Sequence, residues 1–193
     1  DALFSLNDLE LPILAENKAK FEAIGVTVVV SDPKVIDIAF DKFKTAQWVE
    51  SLGLTAPKTY VRLEDCKKAL AAGDISFPLF MKPRWGSGSI GLESIADMEE
   101  LDIYYGLLMK KIKKTILATA SVGDEYIMIQ EKLTGSEYGL DIMNDLDGKN
   151  IGVSVKQKLA MRAGETDKAV TVDLPEVREM GRKIGEVLGH IGN

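Results

Sequence analysis

Apolar and polar residues follow one another along this chain in blocks whose period changes from helical to extended and back. DALFSL opens as a strand-like run, after which Asn7 or Asp8 can cap a helix with Pro12 in its first turn and Leu14, Phe21 and Ile24 on its apolar face, ended by Gly25. The β-branched run VTVVVS, residues 26–31, predicts a buried strand. Helix and strand so closely joined predict parallel α/β alternation, and residues 1–31 read as the closing part of a larger α/β domain. Ser31-Asp32-Pro33 starts a short helical turn, and Asp41 can cap a second helix, KFKTAQWVESL, that Gly53 terminates. TAPKTYVRL is extended, Glu64 to Ala71 is helical, and Gly73-Asp74 turns the chain. Phe77 to Met81 and Leu92 to Ile95 read as strands, and Asp97 with Glu100 forms a capping box for a helix reaching about Lys114. Tyr126 to Gln130 is a buried strand. YGLDIMND and NIGVSVKQKLAM make a hairpin turned at Asp147-Gly148, and Pro175 to Leu188 is the last helix.

Composition narrows what such a chain can do. With 193 residues, 46% apolar and 28% charged, it is long enough for one substantial core or two small lobes. A net charge of −6 argues against nucleic acid as a partner, since such binders carry a basic surface. Cys66 and His190 are the sole residues of their types, so disulfide frameworks, Cys-His zinc sites and Cys-His catalysis lack materials. No stretch reaches the roughly 18 to 20 apolar residues of a membrane span, and no signal peptide is visible. A cytoplasmic location is the default expectation. The start at DALFSL without methionine and the stop at GHIGN read as those of a fragment.

FPLFMKPRWGSGSIGL, residues 77–92, departs from a pattern of simple packing. An apolar run ends in Lys82 and passes into glycines and serines, with Gly86, Gly88 and Gly91 fitting G-x-G-x-x-G. A dinucleotide-binding loop needs its third glycine to open a helix whose amides face the pyrophosphate. Residues 92–95 read as a strand instead, which makes the loop the bend of a β-hairpin. A P-loop needs Lys-Ser or Lys-Thr directly after a glycine, and Gly91 is followed by Leu92. A protein-kinase loop also lies on a hairpin, but its lysine sits on a later strand and its H-R-D and D-F-G segments are absent here. Lys82 precedes the loop, on the entering strand. A solvated strand-end lysine and a plain surface hairpin remain the bland alternatives.

That order of parts, lysine on a strand, glycine hairpin, helix, apolar strand ending in a glutamate and two further residues, resembles the ATP-grasp superfamily. The likeness is greatest to the carbamoyl phosphate synthetase large-subunit type and to related single-module carboxylate-amine ligases. FDKFKTAQWVESLGLTAPKTY, FPLFMKPRWGSGSIGL, YIMIQEKLTGSEYGLDI and KQKLAMRAGETDKA carry it, in order. The resemblance implies an α+β fold in which two α+β lobes grip the nucleotide, preceded by the tail of a Rossmann-like α/β domain. Residues 1–40 would be that tail and linker. Residues 41–193 would be an ATP-grasp domain incomplete at its C-terminus, with a small lid lobe over about 74–131 and the start of a second lobe over 132–193.

The same resemblance implies roles. Lys82 would bind phosphates, with Lys42 as an earlier phosphate contact, while Gly86, Ser87, Gly88, Ser89 and Gly91 let backbone amides approach them. The backbone around Lys132 and Leu133 would pair with the adenine edge, Glu131 would be the adenine-side carboxylate, and Glu137 would accept from the ribose hydroxyls. Arg162, in MRAGET with Glu165 and Thr166, would be catalytic, facing the phosphates or an acyl phosphate. Lys156 and Lys158 share a strand face, and which set points inward is open. ATP and Mg2+ are the implied cofactors, with the main metal ligands expected beyond residue 193 and none assigned here. The parent protein would phosphorylate a small carboxylate and let an amine or similar nucleophile displace phosphate, the fragment alone being inactive. A non-catalytic adenine-nucleotide-binding module and a purely structural domain stay as alternatives, as does a homo-oligomer; no nucleic acid or membrane is expected as a partner.

Overall fold

The computed structural model describes residues 1–86, 91–120, 123–162 and 165–193, and the chain divides into two compact units, residues 1–37 with 135–193 and residues 38–134. In the first, β1 (Ala2–Phe4) runs parallel to β2 (Thr27–Val29), Leu3 lying opposite Val28, with α1 (Leu11–Glu22) between them. The expected helix start is divided. Asn7 accepts from Leu9 N at the head of a 3-10 turn, Asp8–Glu10, and α1 follows with Pro12 in its first turn, where a missing N–H leaves nothing unsatisfied. Ile24, expected on the buried face, is exposed because it lies past the last helical residue, at a turn completed by Gly25 at φ 81°. The short helix α2 (Pro33–Phe40) carries the chain onward.

Residues 38–134 build a four-stranded antiparallel sheet. In chain order the elements are α3 (Lys42–Ser51), β3 (Thr59–Tyr60), α4 (Leu63–Ala72), β4 (Leu79–Pro83), β5 (Glu93–Ile95), α5 (Met98–Ile112) and β6 (Ile127–Glu131), and the strand order is β3-β6-β4-β5. Alternation along β4 turns Leu79 and Met81 to the core, where they meet Ile127 and Ile129 of β6, Cys66 of α4 and Leu101, Leu108 and Ile112 of α5. Leu79, Met81, Ile127 and Ile129 are fully buried, each worth about 1.5–3 kcal/mol of transfer free energy. The opposite face of the sheet carries Phe80, Lys82 and Gln130 together with buried Met128. Asp97 caps α5 by accepting from Glu100 N at 2.9 Å, and the Glu100 carboxylate accepts from Ala96 N at 2.7 Å, one residue earlier than the usual box. β4 and β5 pair antiparallel, Phe80 against Ser94, so the glycine loop joins two strands as expected, and Gly91 is followed by a strand and not by a helix.

The chain then returns to the first unit with β7 (Tyr138–Asn144), β8 (Asn150–Arg162), β9 (Glu165–Thr171) and α6 (Pro175–Leu188), the three strands forming an antiparallel sheet in sequence order. Gly148 turns the first hairpin at φ 76°. Strand β9 was not expected. Its side chains are nearly all exposed, so no buried face imposes apolar alternation on ETDKAVT. Helix α6 lies close on β7 and β8 because of two glycines: a Cβ on Gly181 would stand 2.8 Å from Val153 Cγ1, and one on Gly185 2.7 Å from Ile142 Cγ2. Buried Asn144 joins these parts, donating to Gly185 O at 2.9 Å while its Oδ1 accepts from Asn150 Nδ2 at 3.0 Å. The tail after α6 is tied back by Ile191 N donating to Ser31 Oγ at 2.8 Å and by Asn144 N donating to Gly192 O at 2.8 Å.

Candidate functional site

Lys82 is the penultimate residue of β4 and lies on the face turned away from the core. Its half-buried Nζ donates to Gln130 Oε1 at 3.0 Å, and no carboxylate pairs with it among the described residues. Desolvation pulls its pKa below the ordinary lysine value. An ammonium kept out of water with a neutral partner retains a full charge to offer an anion.

The root of the glycine loop is held by two cations. Lys42 Nζ donates to Gly86 O at 2.5 Å and to Arg84 O at 3.4 Å, so in the free protein the ammonium expected on phosphates sits on loop carbonyls. Arg84, overlooked in the sequence because it lies between Pro83 and Trp85 in what reads as loop, is buried and clamps Asp41 with two bonds of 2.8 Å each. Its third arm meets Glu125 at 3.0 Å, and its plane lies over the rings of Trp85 and Phe43, 4.9 and 5.2 Å from their centroids. Asp41 Oδ1 also caps α3, accepting from Phe43 N at 3.0 Å. One carboxylate thus fixes both the start of α3, with Lys42 as its first residue, and the strand end that enters the loop. Gly86 and Gly91 have φ of 91° and 71°, and a Cβ on Gly91 would stand 2.8 Å from Leu108 Cδ1. Ser87, Gly88 and Ser89 lie outside the described residues.

At the end of β6, Glu131 Oε1 accepts from Lys58 N at 2.7 Å, and Glu131 N donates to Lys58 O at 3.0 Å. The carboxylate expected beside adenine is therefore engaged with the neighbouring backbone. Lys132 Nζ lies 5.1 Å from the Phe80 ring centroid and Leu133 is exposed. In the other unit, Glu137 is paired with Lys158 at 2.7 Å, and Lys156 with Asp141 at 2.9 Å. The hydrogen bond from Lys156 holds the Asp141 carboxyl below its usual pKa, against a smaller opposing effect of burial. Lys156 and Lys158 do share a face, each against an acid of β7 or the residue before it. Arg162 closes β8 with its side chain exposed, 3.6 Å from Asp167, and opposite Glu165 in the β8–β9 register. Among the described residues no group of three or more His, Cys, Asp or Glu is placed to hold a metal ion.

A family model described as the ATP-grasp domain matches residues 75–193. The chain belongs to the ATP-grasp family. Carbamoyl phosphate synthase large chain of Campylobacter jejuni is 23% identical to this ATP-grasp chain over 135 residues, which are 70% of the chain and 11% of that protein. D-alanine--D-alanine ligase of Stutzerimonas stutzeri is 26% identical over 123 residues, 64% of the chain and 35% of the ligase. The chain thus spans only a small part of the curated relatives it matches. Among solved structures, the biotin carboxylase domain of the Hydrogenobacter thermophilus 2-oxoglutarate carboxylase, in complex with MgADP, ADP and bicarbonate, aligns over 98% of the chain and 43% of its own with a TM-score of 0.74 at 17% identity. At that identity the likeness establishes the ATP-grasp fold. No helix among the described residues is long and apolar enough to cross a membrane.

Proposed function

We propose that this chain is the nucleotide-holding part of an ATP-dependent ligase, with residues 41–193 as its ATP-grasp domain and residues 1–40 as the end of a preceding domain. The observation that carries the reading is Lys82: a half-buried ammonium with only a neutral partner, on the strand that enters a glycine hairpin. The names of the relatives support the reaction class, since they are a ligase and a carbamoyl phosphate synthase.

In the proposed reaction a carboxylate oxygen attacks the γ-phosphorus of ATP and the bond to the β-phosphate oxygen breaks, giving ADP and an acyl phosphate. An amine or similar nucleophile then attacks the acyl carbon, loses its proton and expels phosphate. Such transfers need in-line positioning and cations for the spreading charge more than covalent help from the protein. Lys82 supplies one cation; Lys42 supplies a second when it leaves the Gly86 carbonyl, and Arg162 a third. Gly86 to Gly91 offers backbone amides to the phosphates, Ser87, Gly88 and Ser89 included. The backbone at Lys132 and Leu133 reads adenine beside Glu131, and Glu137 accepts from the ribose.

Titrating ATP and AMP into wild type and Lys82→Met tests this. Losing one charge-assisted contact weakens ATP by roughly tenfold to a hundredfold, from about 1.5–3 kcal/mol, and leaves AMP unchanged. Equal losses for both nucleotides would mean that Lys82 supports the sheet and not the phosphates.

A further inference from the structure

The Lys82 ammonium is aimed from two strands away. Thr59 Oγ1 donates to Pro57 O at 2.7 Å, Gln130 Nε2 donates to Thr59 Oγ1 at 2.8 Å, and Lys82 Nζ donates to Gln130 Oε1 at 3.0 Å. The direction of this chain follows from its first member. With its hydrogen committed to a carbonyl, the Thr59 hydroxyl can only accept, so the amide must show it the NH2 group and turn its carbonyl to Lys82. The three side chains stand on β3, β6 and β4, which are neighbours in the sheet, Gln130 lying opposite both Thr59 and Phe80 in register.

We propose that Gln130 is a positioning residue, held by Thr59, that directs the Lys82 ammonium and leaves its charge uncompensated for a nucleotide phosphate. The proposal rests on the ATP-binding reading above. A carbonyl occupies one of the three donors of the ammonium and brings no counter-charge. Glutamate at the same position has almost the same shape but would form an ion pair, which a phosphate must then displace in half-buried surroundings where the attraction is stronger than in water. What separates Gln from Glu here is charge and not fit.

The test measures ATP and AMP binding by calorimetry in wild type, Gln130→Glu, Thr59→Val and Thr59→Ser, and the Lys82 ammonium titration by NMR without nucleotide. Gln130→Glu is expected to weaken ATP about tenfold or more with AMP unchanged, and to move the Lys82 titration to higher pH. Thr59→Val, which lets the amide turn its NH2 toward Lys82, is expected to weaken ATP about two- to tenfold. Thr59→Ser, which keeps the hydroxyl, is expected to behave as wild type. An unmoved Lys82 titration in Gln130→Glu, or equal losses in Thr59→Val and Thr59→Ser, overturns the proposal. A wild type that prefers ATP to AMP, with the same preference in Gln130→Glu and Thr59→Val, overturns it alone; a wild type without that preference overturns the functional reading and the proposal together. Should Gln130→Glu fail to fold, the near-isosteric Thr59 pair decides.

Discussion

Replacing Arg84 by Met isolates what the buried clamp contributes to residues 38–134. The change removes the guanidinium and leaves Asp41, whose side chain is only 5% exposed, without its counter-charge. Breaking a buried pair from one side destabilises by about 3–5 kcal/mol. Two features of the structure place this case near the lower end. Asp41 keeps its capping bond from Phe43 N, so part of its desolvation stays compensated, and Met retains apolar contact with the Phe43 and Trp85 rings. The lost arm to Glu125, a side chain 39% exposed, adds about 0–1 kcal/mol. Adding Asp41→Asn should recover most of the loss, because Asn caps as well as Asp and no unpaired charge is then buried; the double variant is expected within about 1 kcal/mol of wild type. Urea unfolding followed by the fluorescence of Trp48 and buried Trp85, both within residues 38–134, reads both variants. A single variant within about 1 kcal/mol of wild type, or a double variant no more stable than the single, would refute the reasoning.

Three further outcomes are expected. The Lys82 pKa lies below its ordinary 10.5, so between the folded value and 10.5 the unfolded chain holds more protons and this group's contribution to stability rises with pH. Lys82→Met should therefore be the more stable protein at pH 7, with an advantage that shrinks toward pH 10.5; thermal melts showing a constant difference would contradict this. Gly91→Ala should lose about 1–2 kcal/mol for its φ and a further 1–3 kcal/mol for the overlap with Leu108, whereas Gly53→Ala, with an open Cβ position at φ 75°, should lose only the first part. Equal urea midpoints for the two would remove the packing argument. Lys132→Ala should change ATP affinity less than Glu137→Ala, which takes away a charged acceptor worth about 1.5–3 kcal/mol. A titration with the lysine change as the more damaging would displace adenine from residues 130–133.

Elements with a local cause were legible before any coordinates. Asp41 and Asp97 announce helix starts because a short carboxylate satisfies the orphan amides next to it, and Gly53 and Gly148 mark a helix end and a turn by backbone freedom alone. The hairpin placement of the glycine loop followed from the β-like residues after Gly91. What stayed hidden was long-range. Arg84 finds Asp41 and Glu125 at separations of 43 and 41 residues, and nothing in KPRW reveals that its arginine is buried. Gln130 reads as the polar end of an apolar strand until Thr59 and Lys82 are seen on either side of it. Strand β9 was missed because an exposed edge strand needs no apolar period.

The tie between Ile191 and Ser31 also orders events during synthesis. Residues 1–37 belong with residues 135–193, yet the ribosome delivers residues 38–134 between them. At about 5–20 residues per second, residue 191 emerges roughly 8–30 s after residue 37. Through that interval the β1–β2 pair lacks β7, β8, β9 and α6, and Phe4 and Leu6 are exposed even with those elements in place. The inserted segment has its whole four-stranded sheet once residue 131 is out. Residues 38–134 are thus the segment able to mature on the ribosome before residues 135–193 arrive to join residues 1–37.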